Sequence, residues 1–190
     1  MAFILASESP RRRELLARLG IPFEIHALPV KEFRQGDLPP AELPVRNAEL
    51  KAASVAGKYP ASLVLGADTV IVFDGRIIGK PADAAEAKRT LLELAGRTHS
   101  VVTGLALLRA CDGTRILWGE CTRVTFRTYP PAVADEYMRL VDVLDKAGSY
   151  ALQEHGDMLV DRVDGDSDNV VGLPLGRLKR ELAELGFAVV

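Results

Sequence analysis

The chain has 190 residues, 48% of them hydrophobic and 26% charged, a balance that supports a folded core and excludes a disordered tail. Its 24 Lys and Arg against 26 Asp and Glu give a net charge of -2, which argues against nucleic acid and anionic membranes as partners. Two cysteines, and no apolar run long enough to span a membrane, predict a cytoplasmic protein without a disulfide framework. We expect one domain covering residues 1–190.

Hydrophobic periodicity and turn residues predict alternating strands and helices. Strands are expected at residues 3–6, 21–28, 63–73, 76–80, 99–109, 115–127 and 158–163. Helices are expected between Ser9 and Gly20 and at residues 42–56, 83–94, 132–141 and 175–185. Short connections, with hairpins at two of them, predict an α/β fold with a mixed twisted sheet and flanking helices.

The loop from Ser7 to Arg13 joins the first strand to the first helix. Ser9 is typical of an N-cap and Pro10 of the first helical position, where a missing N–H costs nothing. Free N–H groups at a helix start, beside the arginines at positions 11–13, favour an anionic ligand. The alternative is a capped surface helix whose arginines face solvent.

Asp68 interrupts an apolar strand. A carboxylate in such a strand needs a cation, a metal or several hydrogen-bond donors. If Asp74 and Gly75 form a two-residue turn, Lys80 lies opposite Thr69, at the same end of the hairpin as Asp68. The alternative is a structural ion pair at a strand end.

Residues 145–153 follow neither a helical nor a strand period, which is typical of functional loops. Within them, Lys146 could contact phosphate, Asp145 could hold a metal, and Gln153 and Tyr150 could contact a base or simply pack the loop. The common glycine motifs for phosphate and the serine nucleophile turn are absent from the sequence. Carboxylates and basic residues without a nucleophile favour attack of water on a phosphate, with Mg²⁺ between carboxylate and phosphate oxygens.

Six short motifs follow one another along most of the chain. They are Ser7-Glu8-Ser9-Pro10-Arg11-Arg12, Gly66-Ala67-Asp68-Thr69-Val70, Gly79-Lys80-Pro81, Asp145-Lys146-Ala147-Gly148, Gln153 and Asn169-Val170-Val171-Gly172-Leu173-Pro174. Together they resemble the Maf family of nucleoside triphosphate pyrophosphatases. The resemblance implies a fold like that of the inosine triphosphate pyrophosphatases, with a nucleotide in a cleft between two lobes. It also implies metal-dependent hydrolysis of a nucleoside triphosphate to the monophosphate and pyrophosphate.

The resemblance further implies roles for single residues. Asp68 is expected to accept a proton from water, and Asp68 and Glu32 to hold Mg²⁺ or Mn²⁺. The residues expected to bind substrate or set its choice are Ser7, Ser9, Arg11, Arg12, Glu32, Lys51, Thr69, Lys80, Lys146 and Gln153.

The motifs at Asp145 and Gln153 are similar to those of the branch that acts on dTTP and UTP. The alternatives are the branch that acts on 7-methyl-GTP and a nucleotide-binding regulator of septum formation. The chain departs from the family at Glu8, where a small or neutral residue is usual, and at residues 154–157, where the family is glycine-rich. Whether the protein forms a homodimer stays open.

Overall fold

The computed structural model describes residues 2–189, so Met1 and Val190 lie outside the described residues. Within that range, the strands are β1 (Phe3–Leu5), β2 (Glu24–Ile25), β3 (Leu63–Phe73), β4 (Arg76–Ile78), β5 (Thr98–Arg109), β6 (Thr114–Phe126) and β7 (Val160–Asp164). The α-helices are α1 (Pro10–Ala17), α2 (Leu43–Ala56), α3 (Ala84–Leu94), α4 (Pro131–Leu140), α5 (Ser167–Val171) and α6 (Leu175–Glu184). None of these helices is long and apolar enough to cross a membrane.

These strands form one mixed sheet in the order β2-β1-β3-β5-β6-β7, with β4 beside β3. β1 runs parallel to both of its neighbours, and the other pairs are antiparallel. Parallel strands need a crossover connection. The chain between β1 and β3 forms this connection and contains α1, β2 and α2. The predicted α/β fold with a mixed sheet is confirmed.

The start of α1 has the predicted cap. The backbone of Ser9 is extended, and its Oγ accepts a hydrogen bond from the Arg12 N–H at 3.4 Å. Pro10 follows as the first helical residue. The cap fixes the direction in which the chain leaves β1.

The predicted hairpin register is also confirmed. Asp74 and Gly75 have φ angles of 49° and 75°, as a two-residue hairpin turn requires, and Phe73 pairs with Arg76. The ladder ends at Ile78, however, so Lys80 does not pair with β3.

Two further elements differ from the prediction. The strand expected at residues 21–28 is reduced to Glu24–Ile25, because β2 lies at the edge of the sheet and pairs only with β1. Helix α5 was not predicted: it is one short turn capped by Asp166, whose Oδ1 accepts from the Asp168 N–H at 2.8 Å.

Helix α2 packs closely on the sheet because strand positions beneath it lack side chains. These positions are Gly66 in β3, Gly104 in β5 and Gly119 in β6. A Cβ atom at Gly66 would overlap the carbonyl oxygen of Ala48, and one at Gly104 would overlap the backbone of Pro44. The close approach brings polar side chains of α2 onto β3.

Strand β3 contributes to two separate cores on the face away from α2, because alternate residues of a strand share a face. Leu63 and Leu65 pack with residues of α1 and α6, whereas Ile71 and Phe73 pack with residues of α3 and α4. Thr69 lies on the same face between these two sets. The two cores build the two lobes that the prediction placed around a cleft.

Substitution Gly104→Ala tests the packing of α2. The added methyl group would meet the backbone of Pro44 and Val45, which cannot rotate away as a side chain can. We expect the free energy of unfolding to fall by about 3 kcal/mol or more, measured by urea denaturation. Gly57→Ala is the control, since Gly57 has a helical φ of -62° and its nearest neighbour lies 3.7 Å away, so its effect should stay below about 1 kcal/mol. Equal effects of the two substitutions would contradict this account.

Candidate active site

The cleft opens where β3 lacks a neighbour on one edge. β1 pairs with residues 63–65 of β3, and β4 pairs with residues 71–73. Within the described chain, residues 66–70 pair with neither of them, while β5 covers the opposite edge from Val64 to Val72. Asp68 and Thr69 therefore lie in a gap between two diverging segments.

Asp68 faces α2 and is held there by two of its side chains. The residue is only 9% exposed. Its Oδ1 accepts from Nζ of Lys51 at 2.7 Å, and its Oδ2 accepts from Nδ2 of Asn47 at 3.2 Å. Asn47 and Lys51 lie one helical turn apart, so α2 presents both to the strand. The buried carboxylate thus has the cation and the donor that its burial requires.

A loop brings Glu32 to the same ammonium group. Glu32 Oε1 lies 3.3 Å from Nζ of Lys51. Asn47 also holds the adjacent Phe33, accepting from its backbone N–H at 2.8 Å and donating to its carbonyl oxygen at 3.2 Å. Asn47 therefore positions both the carboxylate in the strand and the loop that carries the second one.

Asp68 and Glu32 were the predicted metal ligands. Both have an oxygen atom within 3.3 Å of the Lys51 ammonium, so their carboxylates converge on one place. Mg²⁺ is usually held by one or two carboxylates together with substrate phosphates, and this donor set fits that pattern. A cluster of three or more His, Cys, Asp or Glu side chains suited to a metal does not occur in residues 2–189.

Arg12 connects three segments around the cleft. Its Nε donates to the carbonyl oxygen of Gly172 at 3.0 Å, its Nη1 to Oγ of Ser7 at 3.2 Å, and its Nη2 to Oγ1 of Thr69 at 3.0 Å. Burial lowers the pKa of Arg12, and the charge of Asp68 partly offsets that shift. A guanidinium has five N–H groups, so two remain for a ligand.

A cavity of about 670 Å³ occupies the gap and extends between the lobes. Ten of the predicted site residues line it: Ser9, Arg11, Arg12, Glu32, Lys51, Asp68, Thr69, Lys80, Lys146 and Gln153. The remaining one, Ser7, lies behind the lining and accepts the hydrogen bond from Arg12. The fold therefore brings the predicted residues together from both halves of the chain.

Lys146 anchors the loop at residues 142–154. It is only 5% exposed. Its Nζ donates to the carbonyl oxygen of Asp142 at 2.6 Å and to Oδ1 of Asp145 at 2.8 Å, and lies 3.3 Å from Oε2 of Glu154. Three acceptors thus surround a group that has three protons, so the ammonium makes all of its hydrogen bonds within the protein.

The charges of the cavity are unevenly balanced. Lys51 and Lys146 each have two carboxylates within salt-bridge distance. Among the described residues, Arg11, Arg12 and Lys80 have none. These three unpaired cations line the same cavity as Asp68, and they make it attractive to an anion.

The positive charges of Arg11 and Lys80 influence the pKa of the Asp145 carboxyl. Burial acts to raise its pKa, whereas the hydrogen bond from Lys146 lowers it. The positive charges of Lys146, Arg11 and Lys80 lower it further, and the net shift of the pKa is downward. Arg11 and Lys80, which lie on opposite sides of the gap in β3, thus act on one group.

The family model described as Maf-like protein matches residues 2–185. The chain belongs to the Maf family. It is 48% identical to a dTTP/UTP pyrophosphatase of Akkermansia muciniphila, covering 97% of this chain and 96% of that protein. It is 46% identical to a dTTP/UTP pyrophosphatase of Moorella thermoacetica, covering 98% and 96%. The fold is similar to that of the Staphylococcus aureus Ham1 protein, with a TM-score of 0.58 and 13% identity over 97% of this chain and all of the other.

The family departure at Glu8 has a structural explanation. Glu8 is exposed and lines a separate depression of about 300 Å³ with His26, Lys58 and Tyr59. It is absent from the lining of the main cavity, so its charge points away from the cleft. Arg13 is likewise exposed and outside that lining, so only two of the three consecutive arginines face the cavity.

Asn47 was missed by the sequence analysis. The signal that could have found it is its spacing of four residues from Lys51 on a helix whose inward face is otherwise apolar. Asn169 and Thr103 were also missed as individual residues. Both are fully buried polar side chains, and burial cannot be read from residue type alone.

Behind the cavity wall, His99 holds Tyr150. The tyrosine lines the cavity, and its hydroxyl lies 2.8 Å from Nε2 of His99. The rings of His99, Tyr150 and Phe126 contact one another edge to face. Burial lowers the pKa of His99 from 6.5 to about 4 and raises the pKa of Tyr150, so both groups are neutral at pH 7.

The pKa of His99 makes the fold sensitive to acid. An unfolded chain binds a proton at this histidine near pH 6.5 and the folded protein only near pH 4, so a fall in pH between these values favours unfolding. We expect this histidine to remove about 3 kcal/mol from the free energy of unfolding across that range. Urea denaturation at a series of pH values measures the slope. The variant His99→Gln should lose this part of the slope, and an unchanged slope would show that other groups cause the acid sensitivity.

Proposed function

We propose that the protein hydrolyses dTTP and UTP to the monophosphate and pyrophosphate, using water as the nucleophile. The observation that carries the proposal is the cavity, where the buried carboxylate of Asp68 lies with three cations that no carboxylate balances. Relatives named dTTP/UTP pyrophosphatases, at up to 48% identity over nearly the whole chain, support the same reaction. On these grounds the chain is a nucleoside triphosphate pyrophosphatase.

In this proposal the unpaired cations bind the triphosphate. Arg11, Arg12 and Lys80 supply positive charge, and the arginines can each donate parallel hydrogen bonds to phosphate oxygens. Ser9 and the N-terminus of α1 add backbone and hydroxyl donors on the same side. Lys51 and Lys146 act indirectly, because their charges are already balanced by carboxylates.

Asp68 is the proposed general base. A carboxylate can accept about four hydrogen bonds, and Lys51 and Asn47 occupy two of those positions. Water attacks phosphorus at the linkage between the α- and β-phosphates, Asp68 takes a proton from that water, and the bridging P–O bond breaks. The pyrophosphate leaves with its negative charge stabilised by the cations.

Mg²⁺ or Mn²⁺ would be held by Asp68, Glu32 and phosphate oxygens of the substrate. Such an ion, when bound, polarises the phosphoryl oxygens and neutralises part of their charge. The role of this chain is to keep two carboxylates together at the floor of the cleft. Lys51 does so by pairing with both.

The apolar part of the cavity is proposed to receive the base. It is lined by apolar side chains such as Ile71 and Leu152 and by Tyr150. Gln153 follows Leu152 in the cavity lining, is exposed, and offers a donor and an acceptor from one amide, which suits the edge of a pyrimidine. We assign substrate choice to Gln153, together with Arg11 and Thr69.

Pyrophosphate release from a panel of nucleotides tests the proposal. The purified protein is incubated with dTTP, UTP, the purine triphosphates and 7-methyl-GTP, each with Mg²⁺ and with EDTA. We expect release to be fastest with dTTP and UTP, to stop with EDTA and to return when Mg²⁺ is added in excess. Preference for 7-methyl-GTP would assign the chain to the other branch, and tight binding of nucleotides without release would favour a regulator.

The variant Asp68→Asn tests the general base. The substitution keeps the shape and removes the basic group, so we expect turnover to fall about 10²–10⁴-fold while the far-ultraviolet circular dichroism spectrum is retained. Asp135→Asn is the matched control, because Asp135 pairs with Lys88 and lies outside the cavity lining. Near-normal turnover of Asp68→Asn would contradict the general-base role and leave Asp68 only a structural role as the partner of Lys51.

A further inference from the structure

A chain of buried hydroxyl groups lies beneath the floor of the cleft. Thr103 in β5 pairs directly with Thr69 in β3, and it is 0% exposed and outside the cavity lining. Its Oγ1 lies 3.0 Å from Oγ1 of Thr69 and 3.1 Å from the carbonyl oxygen of Asn169. Thr103 therefore joins a residue of the cleft to the segment that contains α5.

The direction of these hydrogen bonds follows from their two ends. A guanidinium can only donate, so Arg12 donates to Thr69. A carbonyl oxygen can only accept, so Thr103 gives its single hydroxyl proton to Asn169. Thr103 must then accept from Thr69, because it has no second proton to offer. The order is fixed as Arg12 to Thr69, Thr69 to Thr103, and Thr103 to the Asn169 carbonyl.

This order limits what the cleft residues can do. The single hydroxyl proton of Thr69 is used inside the protein, so Thr69 can accept a hydrogen bond from a ligand but cannot donate one. One N–H group of the planar Arg12 guanidinium is bonded to Thr69. This bond, with those to Gly172 and Ser7, orients the N–H groups that remain for a ligand. The buried end of this series of hydrogen bonds thus sets the orientation of the groups at its exposed end.

We propose that Thr103 is a positioning residue, which orients Arg12 for the triphosphate through the hydroxyl of Thr69. The inference rests on the proposed function for the role of Arg12. Thr103 itself touches neither the cavity nor Arg12, and of the two groups it bonds, Thr69 is the one that bonds directly to Arg12.

Replacing Thr103 by valine keeps the shape and removes the hydroxyl. The Asn169 carbonyl then keeps only the bond from the Gly172 N–H, and the Thr69 proton loses its acceptor. The Thr69 hydroxyl is free to rotate and to turn its proton towards the cavity, where it weakens the bond from Arg12. We expect kcat/KM for dTTP to fall about 3- to 10-fold, the range that one hydrogen bond supplies. Thr103→Ser restores the hydroxyl and should stay within about twofold of the wild type.

A double-mutant cycle with Arg12→Lys tests whether the effect passes through Arg12. A lysine has no planar fork for Thr69 to orient, so Thr103→Val should cost less than about twofold in that background. Thr122→Val is the matched control. Thr122 is also 0% exposed, accepts from Nδ2 of Asn169 at 3.0 Å and donates to the Asp166 carbonyl at 2.9 Å, but has no bond to Thr69. Its effect should be the same with Arg12 and with Lys at position 12.

Equal losses from Thr103→Val in both backgrounds would overturn the positioning role, as would failure of Thr103→Ser to restore activity. If Thr103→Val does not fold, as judged by circular dichroism, the pair Thr103→Ala and Thr103→Ser replaces it, since these variants differ by one oxygen atom. If the wild type releases no pyrophosphate from any triphosphate, the proposed function fails. The same cycle measured on the Kd of dTTP by calorimetry then decides whether Thr103 orients Arg12.

Discussion

The site depends on one strand whose edge is divided between two partners. β1 covers the first residues of β3 and β4 covers the last ones, and residues 66–70 are left facing the space between. A strand that lacks a partner on one edge exposes backbone and side chains, which proteins usually cover. Here the gap forms the floor of a cleft. The carboxyl end of β1 delivers Arg11 and Arg12 to one side of it, and the end of β4 delivers Lys80 to the other.

The near-neutral chain contains a locally cationic site. The whole sequence carries a net charge of -2, whereas five cations and four carboxylates line the cavity, a net charge of +1. The more important feature is the arrangement of those charges. Four carboxylates are used to hold Lys51 and Lys146, which fix α2 and the loop near residue 146, and Arg11, Arg12 and Lys80 are left unpaired. Separation of charge within one cavity can thus attract a short polyanion without giving the surface a basic field.

Support for the cleft comes from buried polar groups that lie outside its lining. Asn47 positions both carboxylates near Lys51, His99 holds Tyr150, and Thr103 bonds to Thr69. Close packing of α2 on strand glycines makes the first of these contacts possible. A buried polar group is costly unless it is satisfied, so each such contact also fixes one geometry. Most of the predicted lining residues fall in short sequence motifs, but these supporting residues are single positions far apart in the chain.

Local chemistry in the sequence determined the cap at Ser9, the hairpin register set by Asp74 and Gly75, and the need of Asp68 for a partner. Each of these follows from the preferences of a few neighbouring residues. Only the tertiary structure decided which groups pair: that Lys51 and Asn47 meet Asp68, that the Lys146 ammonium is committed to its own loop, and that Glu8 faces away from the cleft. The reason is that these contacts depend on strand order and on the approach of α2 to the sheet. Both are set by packing between segments distant in the chain, and local residue preferences do not encode them.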